Sequence, residues 1–89
     1  MKAIASPSFK GTVKQLHSNQ KKALDDAVQS IQSNPLIGSP KKGDPSGVYV
    51  LKFKISNLDW LLAYQILEEE IILLLVVGPH ENFYRDLKR

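Results

Sequence analysis

Apolar residues in the first third of the chain recur at helical spacing. Met1 to Ala5 is short and partly alternating, which predicts a brief first strand. Ser6 followed by Pro7 is typical of a helix start, because serine caps free backbone N–H groups and proline fits the first helical position. Three apolar residues then follow at spacings of four and three, which predicts a helix of about three turns: Phe9, Val13 and Leu16.

A second helical pattern follows a break at His17, Ser18 and Asn19. We expect His17 to close the first helix and Asn19 to cap the second. Four apolar residues lie at positions i, i+3, i+4 and i+7 of this second helix: Leu24, Ala27, Val28 and Ile31. Asn34 and Pro35 end it, since the residue before a proline disfavours the helical conformation. The two helices are expected to form a hairpin.

The second half of the chain contains three strand patterns. Residues 48–55 alternate, with one face that is apolar or aromatic: Tyr49, Leu51, Phe53 and Ile55. The other face carries Val48, Val50, Lys52 and Lys54. We expect a turn at 56–59, a second strand at 60–67, a polar turn at 68–70 and a third strand at 71–77. The third strand is apolar on both faces, which favours a central place in an antiparallel meander.

The remaining segments complete the predicted fold. Turn-forming residues dominate residues 38–47, which predicts a loop that carries Lys41 and Lys42. After Gly78 and Pro79, a spacing of four between Phe83 and Leu87 predicts a short C-terminal helix. The sequence therefore predicts an α+β fold. In it, a short first strand and a helical hairpin pack on a small antiparallel sheet made of the meander and the first strand.

The composition places this pattern in one folded unit. The 89 residues suit a single domain spanning 1–89, because so short a chain buries too little surface for a second core. The absence of cysteine excludes disulfides, a thiolate nucleophile and cysteine-ligated zinc. The longest apolar run, residues 71–77, is far shorter than the ~20 residues of a membrane span, and the first residues do not read as a signal peptide. We therefore expect a cytoplasmic protein that does not contact a membrane.

The charge is distributed unevenly along the chain. Residues 1–56 contain nine lysines and three aspartates, whereas residues 57–89 contain three basic and six acidic residues. The basic first part is therefore expected to face a polyanion.

Few side chains are suited to catalysis. The sequence has no Gly-rich phosphate loop and no serine elbow, and its two histidines are His17 and His80. The acidic residues and histidines lack the spacing of metal ligands, so we expect neither a metal nor a cofactor. His80 directly follows an apolar strand and a Gly-Pro stop, where a rigid scaffold presents a side chain on a loop. His17 is expected to be capping or solvated.

His80 and the cations that can share its surface meet the needs of RNA cleavage. Without a metal, the 2′-hydroxyl must lose a proton, the phosphorane charge must be stabilised, and the leaving 5′-oxygen must be protonated. The expected catalytic residues are His80, Lys52, Lys54 and Tyr84. The expected RNA phosphate ligands are Arg85, Lys41 and Lys42. The alternatives are a solvated sheet face for the strand lysines, helix packing for the tyrosine, and a solubilising role for the loop lysines.

Five segments, in this order and spacing, resemble the RelE/ParE superfamily of bacterial toxins. They are Pro7-Ser8-Phe9, Asn34-Pro35, Gly47 to Lys54, Leu62 to Ile66, and Val76 to Arg89. The resemblance implies a small α+β toxin of a type II toxin–antitoxin system, bound by a cognate protein antitoxin in a hetero-oligomer. RelE-like members cut messenger RNA on the ribosome without a metal. The resemblance thus implies an endoribonuclease that inhibits translation, with ribosome and mRNA as partners.

The same resemblance suggests roles for individual residues. Lys52 and Lys54 match the sheet lysines that serve as base and phosphate ligand. His80 and Tyr84 match a histidine and an aromatic residue four positions later in the YafQ-like and YoeB-like branches, and Arg85 assists at the phosphate. Many RNA-cleaving relatives also carry an arginine in the segment where this chain has Trp60-Leu61-Leu62. A DNA gyrase poison of the ParE-like branch is therefore the alternative function, and a relative without toxicity is a third.

Overall fold

A five-stranded sheet forms the framework of the molecule. The computed structural model describes residues 1–41, 47–68 and 70–81. Along the chain the elements are β1 (Lys2–Ala5), α1 (Pro7–Val13), α2 (Ser18–Ser33), β2 (Ser39–Pro40), β3 (Val48–Ile55), β4 (Leu58–Ile66) and β5 (Ile71–Pro79). The strands lie in the order β1-β5-β4-β3-β2, with β1 parallel to β5 and every other pair antiparallel. The α+β class and the meander are therefore confirmed, and the sheet gains β2.

The helices cover one face of the sheet. Helix α1 contacts β5, and helix α2 contacts β3 and β1. The main core between helices and sheet includes Phe9, Leu24, Ile31, Leu62 and Ile72. A second, smaller cluster on the other face joins Val48, Leu61 and Ala63. Strand β5 is an interior strand with apolar side chains in both clusters, as its composition predicted.

The first helix begins as predicted but is shorter. The Ser6 hydroxyl accepts a hydrogen bond from the Phe9 N–H (3.2 Å) and donates one to the Leu75 carbonyl of β5 (3.1 Å). After Val13 the backbone tightens, because Leu16 N–H bonds to the Val13 carbonyl, three residues back, at 3.1 Å. Leu16 still packs against the core, so the apolar stripe was correct although the helix ends before its last member.

The second helix begins earlier than predicted. His17, not Asn19, is its N-cap residue, so the predictions that Asn19 caps α2 and that His17 closes α1 were wrong. The physical reason is Gln20, whose side-chain Oε1 accepts a hydrogen bond from the His17 N–H at 2.8 Å. The helix ends at Ser33 with Asn34 as C-cap, which confirms the predicted stop.

The strand boundaries differ from prediction mainly at turns. Strand β3 has the predicted bounds, with the predicted residues on each face. The turn that follows has only two residues, Ser56 and Asn57, with φ of 49° and 69°, so β4 already begins at Leu58. Strand β5 runs two residues further than expected, to Pro79, which lies opposite Trp60. Strand β2 was predicted as loop, because two residues that include a proline give no strand pattern.

Tyr64 ties the segment after α2 to the sheet. Its side chain is fully buried, and its hydroxyl donates to the Pro35 carbonyl (2.7 Å) and accepts from the Gly38 N–H (3.0 Å). Burial raises the pKa of this hydroxyl above its usual value. A β carbon on Gly38 would lie 2.6 Å from the Tyr64 hydroxyl oxygen, so this position requires glycine. The contact holds Gly38 where β2 begins at the next residue.

Two further predictions concern the C-terminal helix and membrane-spanning segments. The expected C-terminal helix, with Phe83 and Leu87, lies outside the described residues. Among residues 1–41, 47–68 and 70–81, neither the length nor the apolar content of any helix is sufficient to cross a membrane.

Candidate functional site

Three neighbouring strands position the candidate site on the face opposite the helices. Lys52 and Lys54 point from β3 to this face, and their side chains are 63% and 69% exposed. In the register of the sheet, Lys54 lies opposite Asp59 of β4, and Lys52 lies opposite Leu61. His80 directly follows Pro79, the last residue of β5. Sheet pairing therefore brings residues from three parts of the sequence to one end of the sheet.

Asp59 links the lysines of β3 to the histidine after β5. Its Oδ1 lies 3.5 Å from Lys54 Nζ, and its Oδ2 lies 3.9 Å from Lys52 Nζ. On its other side, Asp59 lines a pocket of about 240 Å³ together with His80 and Glu81. Three of the predicted catalytic residues thus surround this one carboxylate.

Asp59 is the site residue that the sequence analysis missed. The residue was assigned to a turn at 56–59, whereas it belongs to β4. The available signal was the pair Ser56-Asn57, since two small or polar residues suffice for a hairpin turn and leave Asp59 in the strand.

The electrostatics of the site leave the lysines able to exchange partners. Both ion pairs lie partly in solvent, with the Asp59 side chain 38% exposed, and such exposed pairs contribute little to stability. Oδ1 of Asp59 is shielded from solvent and accepts no hydrogen bond from the described part of the chain. Two ammonium groups share one carboxylate, which leaves positive charge on the lysine side of the site, whereas Glu81 adds a negative charge beside His80.

The middle of this face is apolar and buried. Leu61 lies between Lys52 of β3 and Gly78 of β5 and is only 3% exposed. Gly78, which lies opposite Leu61 on β5, is buried as well. Neither Leu61 nor Gly78 contributes a cation to the site.

The other predicted residues lie elsewhere or outside the described chain. Lys41 is at the opposite end of β3, where its N–H bonds to the Val48 carbonyl at 2.9 Å. Four residues of strand separate Val48 from Lys52, about 13 Å along the sheet. Three predicted residues are not among the described ones: Lys42, Tyr84 and Arg85. His17 is exposed and lines a separate pocket with Trp60 and Val77 on the helical side of the sheet.

The described groups suit proton transfer and charge stabilisation. An imidazole, two ammonium groups and a carboxylate can move protons and balance the charge of a phosphate. Within residues 1–41, 47–68 and 70–81, no three histidine, aspartate or glutamate side chains form a cluster able to hold a metal ion.

Sequence comparison assigns the chain to a known family of proteins. The family model described as the ParE-like toxin of type II bacterial toxin–antitoxin systems matches residues 3–88. The search of curated proteins found no match.

Solved structures with the same fold include the E. coli toxin RelE. The isolated toxin superposes with a TM-score of 0.69 at 22% identity, covering 98% of this chain and 95% of that chain. The intact E. coli RelBE toxin–antitoxin complex gives a TM-score of 0.68 at 22% identity, covering 85% of this chain and 92% of the other. A RelE mutant bound to an antitoxin RelBc peptide gives 0.69 at 17% identity, covering 96% and 90%. At these identities the likeness establishes the fold.

Proposed function

We propose that this chain, which belongs to the ParE-like toxins of type II bacterial toxin–antitoxin systems, is a ribosome-dependent endoribonuclease that cuts mRNA and so inhibits translation. The observation that carries the proposal is the convergence of Lys52, Lys54 and His80 around Asp59 at one end of the sheet. These three residues come from two distant segments of the sequence, and the fold gives them one accessible surface.

In the proposed reaction, the 2′-oxygen of the RNA attacks the adjacent phosphorus, and the bond to the 5′-oxygen breaks. The ammonium groups of Lys52 and Lys54 stabilise the charge of the phosphorane, since both are exposed and within reach of one anion. His80 transfers one of the two protons, as general base to the 2′-hydroxyl or as general acid to the leaving 5′-oxygen, and Lys52 or Lys54 transfers the other. Tyr84 and Arg85 remain proposed contributors, to base positioning and phosphate binding respectively.

The toxin is proposed to act with two kinds of partner. The ribosome and its mRNA supply the substrate in a fixed geometry, which compensates for the small number of cations at the site. A cognate protein antitoxin forms a hetero-oligomer with the toxin, as the antitoxin RelB does with RelE in the E. coli complex. We propose that the toxin acts in the cytoplasm, where its ribosome and mRNA partners are found.

One observation favours a second function, a DNA gyrase poison without nuclease chemistry. Asp59 occupies the lysine face with a carboxylate that repels phosphate, while the two lysine side chains beside it are exposed. A surface of this kind suits protein binding as well as RNA binding. The two functions differ in what is damaged first, messages or DNA.

The test is induction of the toxin in cells, with mapping of mRNA 5′ ends within minutes. We expect the wild type to cut messages, and His80→Ala to lower the rate by about 10²- to 10⁴-fold, as for loss of a general acid or base. His17→Ala is the matched control, because this exposed histidine lies away from the site and should leave cleavage unchanged. Circular dichroism of both variants verifies folding.

Two outcomes would contradict the nuclease. Intact messages together with a DNA damage response would indicate gyrase as the target. Equal cleavage by the wild type, His80→Ala and a Lys52→Ala/Lys54→Ala double variant, at matched protein levels, would remove the site.

A further inference from the structure

Asp59 attracts both site lysines without fixing either of them. Its Oδ1 lies 3.5 Å from Lys54 Nζ, and its Oδ2 lies 3.9 Å from Lys52 Nζ. Both distances exceed the about 2.7 to 2.9 Å of a strong charge-assisted hydrogen bond between an ammonium group and a carboxylate. The two lysine side chains are mostly exposed, so each ammonium group can leave Asp59 for another anion at little cost.

The carboxylate itself has less freedom to move than the lysines. Asp59 lies within β4, directly opposite Lys54 in the sheet, and its side chain is short. Its Oδ1 is shielded from solvent, whereas a lysine ammonium group moves at the end of a flexible four-carbon chain. When an RNA phosphate approaches, the lysines can therefore turn towards it, but the negative charge of Asp59 stays at the site.

Stability does not explain a charged residue at this position. Exposed ion pairs contribute little to stability, and a shielded carboxylate oxygen that accepts no hydrogen bond from the described residues lowers it. Asparagine has nearly the same shape without the charge and could occupy the same place in β4. The negative charge of Asp59 is therefore expected to serve the function of the site.

The described residues of the site offer a free polyanion little net attraction. Lys52 and Lys54 contribute two positive charges. Asp59 and Glu81 contribute two negative charges beside His80, and with a neutral imidazole these charges cancel. Long-range attraction and counterion release drive nonspecific binding of nucleic acids, and both depend on an excess of positive charge. The lysines therefore act on a phosphate only after it has been brought close to them.

We propose that Asp59 is a specificity-determining residue, a built-in counter-charge that keeps Lys52 and Lys54 from binding free RNA. This inference rests on the proposed function in that it takes the substrate to be mRNA held by the ribosome. Any phosphate must replace Asp59 as the partner of the two ammonium groups and lie beside its negative charge. For free RNA this cost leaves binding weak, whereas the ribosome offsets the cost by holding the cleavable phosphate in place.

Asp59 acts in this role on occupancy and not on the chemical step. The carboxylate lowers the affinity for free and ribosome-bound RNA alike, but tight binding tolerates the loss and weak binding does not. Messages on the ribosome are therefore cut, and other RNA is spared. Asp59 transfers no proton in this role and is not a catalytic residue.

The experiment measures the affinity of the purified toxin for a short single-stranded RNA that carries 2′-O-methyl groups throughout and therefore cannot be cut. NMR signals of the backbone amides of residues 52–61 report binding at the site separately from binding at lysines on the helices. We expect Asp59→Asn to tighten binding at the site by about three- to tenfold at low salt, as for removal of one nearby like charge. The gain should shrink as salt screens the repulsion.

Two matched variants test whether the gain arises at the lysines. Asp25→Asn removes the same charge from an exposed position on α2 and should leave the affinity at the site unchanged within about twofold. In the Lys52→Gln/Lys54→Gln background, Asp59→Asn should give no gain, because no lysine is left for the phosphate to take over. Circular dichroism verifies folding, and Asp59→Thr, which is neutral and favoured in strands, replaces Asp59→Asn if that variant does not fold.

Three results would overturn the inference. The first is unchanged or weaker RNA binding by Asp59→Asn, or no detectable binding by either protein, since Asp59 would then not oppose the phosphate. The second is an equal gain with Asp25→Asn, which would make total charge the cause. The third is a gain that persists without the two lysines.

The binding assay contains no ribosome and no cleavable RNA and is therefore independent of the nuclease test. A chain that cuts mRNA but gains no affinity for RNA with Asp59→Asn would refute the Asp59 inference alone. A chain whose Asp59→Asn variant gains affinity while mRNA stays intact in cells would refute the nuclease alone.

Discussion

At the scale of single residues, the contact between Tyr64 and Gly38 fixes the chain between α2 and β2. The tyrosine ring is fully buried and stacks on Tyr49 with centroids 5.7 Å apart. Its hydroxyl joins Pro35 and Gly38, so one side chain satisfies two backbone groups of a segment without regular structure. Residues on either side of this anchor depend on it for their position.

Replacing Gly38 with alanine should destabilise the protein. The new β carbon would lie 2.6 Å from the Tyr64 hydroxyl oxygen, and a fully buried ring has no room to retreat. We expect the free energy of unfolding to fall by about 1 to 3 kcal/mol in urea denaturation. Gly11→Ala is the control, because a β carbon there meets nothing within 4 Å and alanine favours α1. Equal stability of both variants would contradict the close contact.

The raised pKa of Tyr64 predicts a loss of stability at alkaline pH. Burial disfavours the phenolate, so the folded state holds this proton more tightly than the unfolded state, whose pKa is about 10. The contribution is therefore fully present below pH ~10 and is lost as the pH rises towards the folded pKa. Tyr64→Phe should be less stable at neutral pH, and its disadvantage should shrink above pH ~10. A difference that stays constant with pH would refute the shift.

At the scale of elements, the two-residue turn between β3 and β4 sets the register that aligns Lys54 with Asp59. Ser56 and Asn57 both adopt positive φ, a conformation that serine tolerates poorly. Asn19 at the start of α2 donates a weak hydrogen bond to the Ser56 hydroxyl, at 3.4 Å. The turn is thus strained locally and held by its surroundings.

Substituting the preferred turn sequence should stabilise the hairpin. Ser56→Asn combined with Asn57→Gly places asparagine and glycine where positive φ is required, and we expect about 1 kcal/mol more stability. Thermal unfolding followed by circular dichroism measures the change. Ser33→Asn at the end of α2 is a control without a turn requirement. A lower melting temperature would mean that the Asn19 contact outweighs the turn strain.

How well each element could be predicted depended on the length of its repeating pattern of apolar and polar residues. Strand β3 alternates over eight residues, so its bounds and faces were predictable. Strand β2 has two residues, which is too short for an alternating pattern. Leu16 continues the apolar spacing of α1 although the helix has already ended. Lys52, Lys54 and His80 were chosen as candidate residues for their chemistry, and their roles stay predictions. Asp59 was not chosen, because its role arises only when a two-residue turn places it between them.

At the scale of the whole molecule, the fold divides the positive charge between two sides. The helices lie on one face of the sheet and carry several exposed lysines, including Lys10, Lys21 and Lys22. Lys52 and Lys54 lie on the opposite face. Among the residues that the structure describes, the lysines therefore do not form one continuous basic patch, and the second group adjoins the candidate site.

This division predicts how ribosome binding depends on salt. Each lysine that contacts a phosphate releases counterions, which adds about 0.7 to 0.9 to the slope of log affinity against log salt. Lys52→Gln/Lys54→Gln should therefore flatten the slope by about 1.4 to 1.8. Lys21→Gln/Lys22→Gln removes the same charge from the helical side and should leave the slope unchanged. Sedimentation with ribosomes at several salt concentrations measures the slope for both double variants. A slope that changes only in Lys21→Gln/Lys22→Gln would place the binding face on the helical side.

The parallel pairing of β1 with β5 determines when the sheet can be completed during synthesis of the protein. Strand β1 is synthesised first, but it can pair only after β5, the last of the five strands, has been synthesised. The reason is that Lys2 to Ala5 pair with Ile71 to Leu74. Ser6 N–H likewise waits for the Leu74 carbonyl, which it meets at 3.0 Å. A nascent chain that ends before residue 71 cannot pair β1 with β5, and one that ends before residue 80 also lacks His80. The ribosome that synthesises this chain therefore does not meet a complete candidate site before residue 80 has been translated.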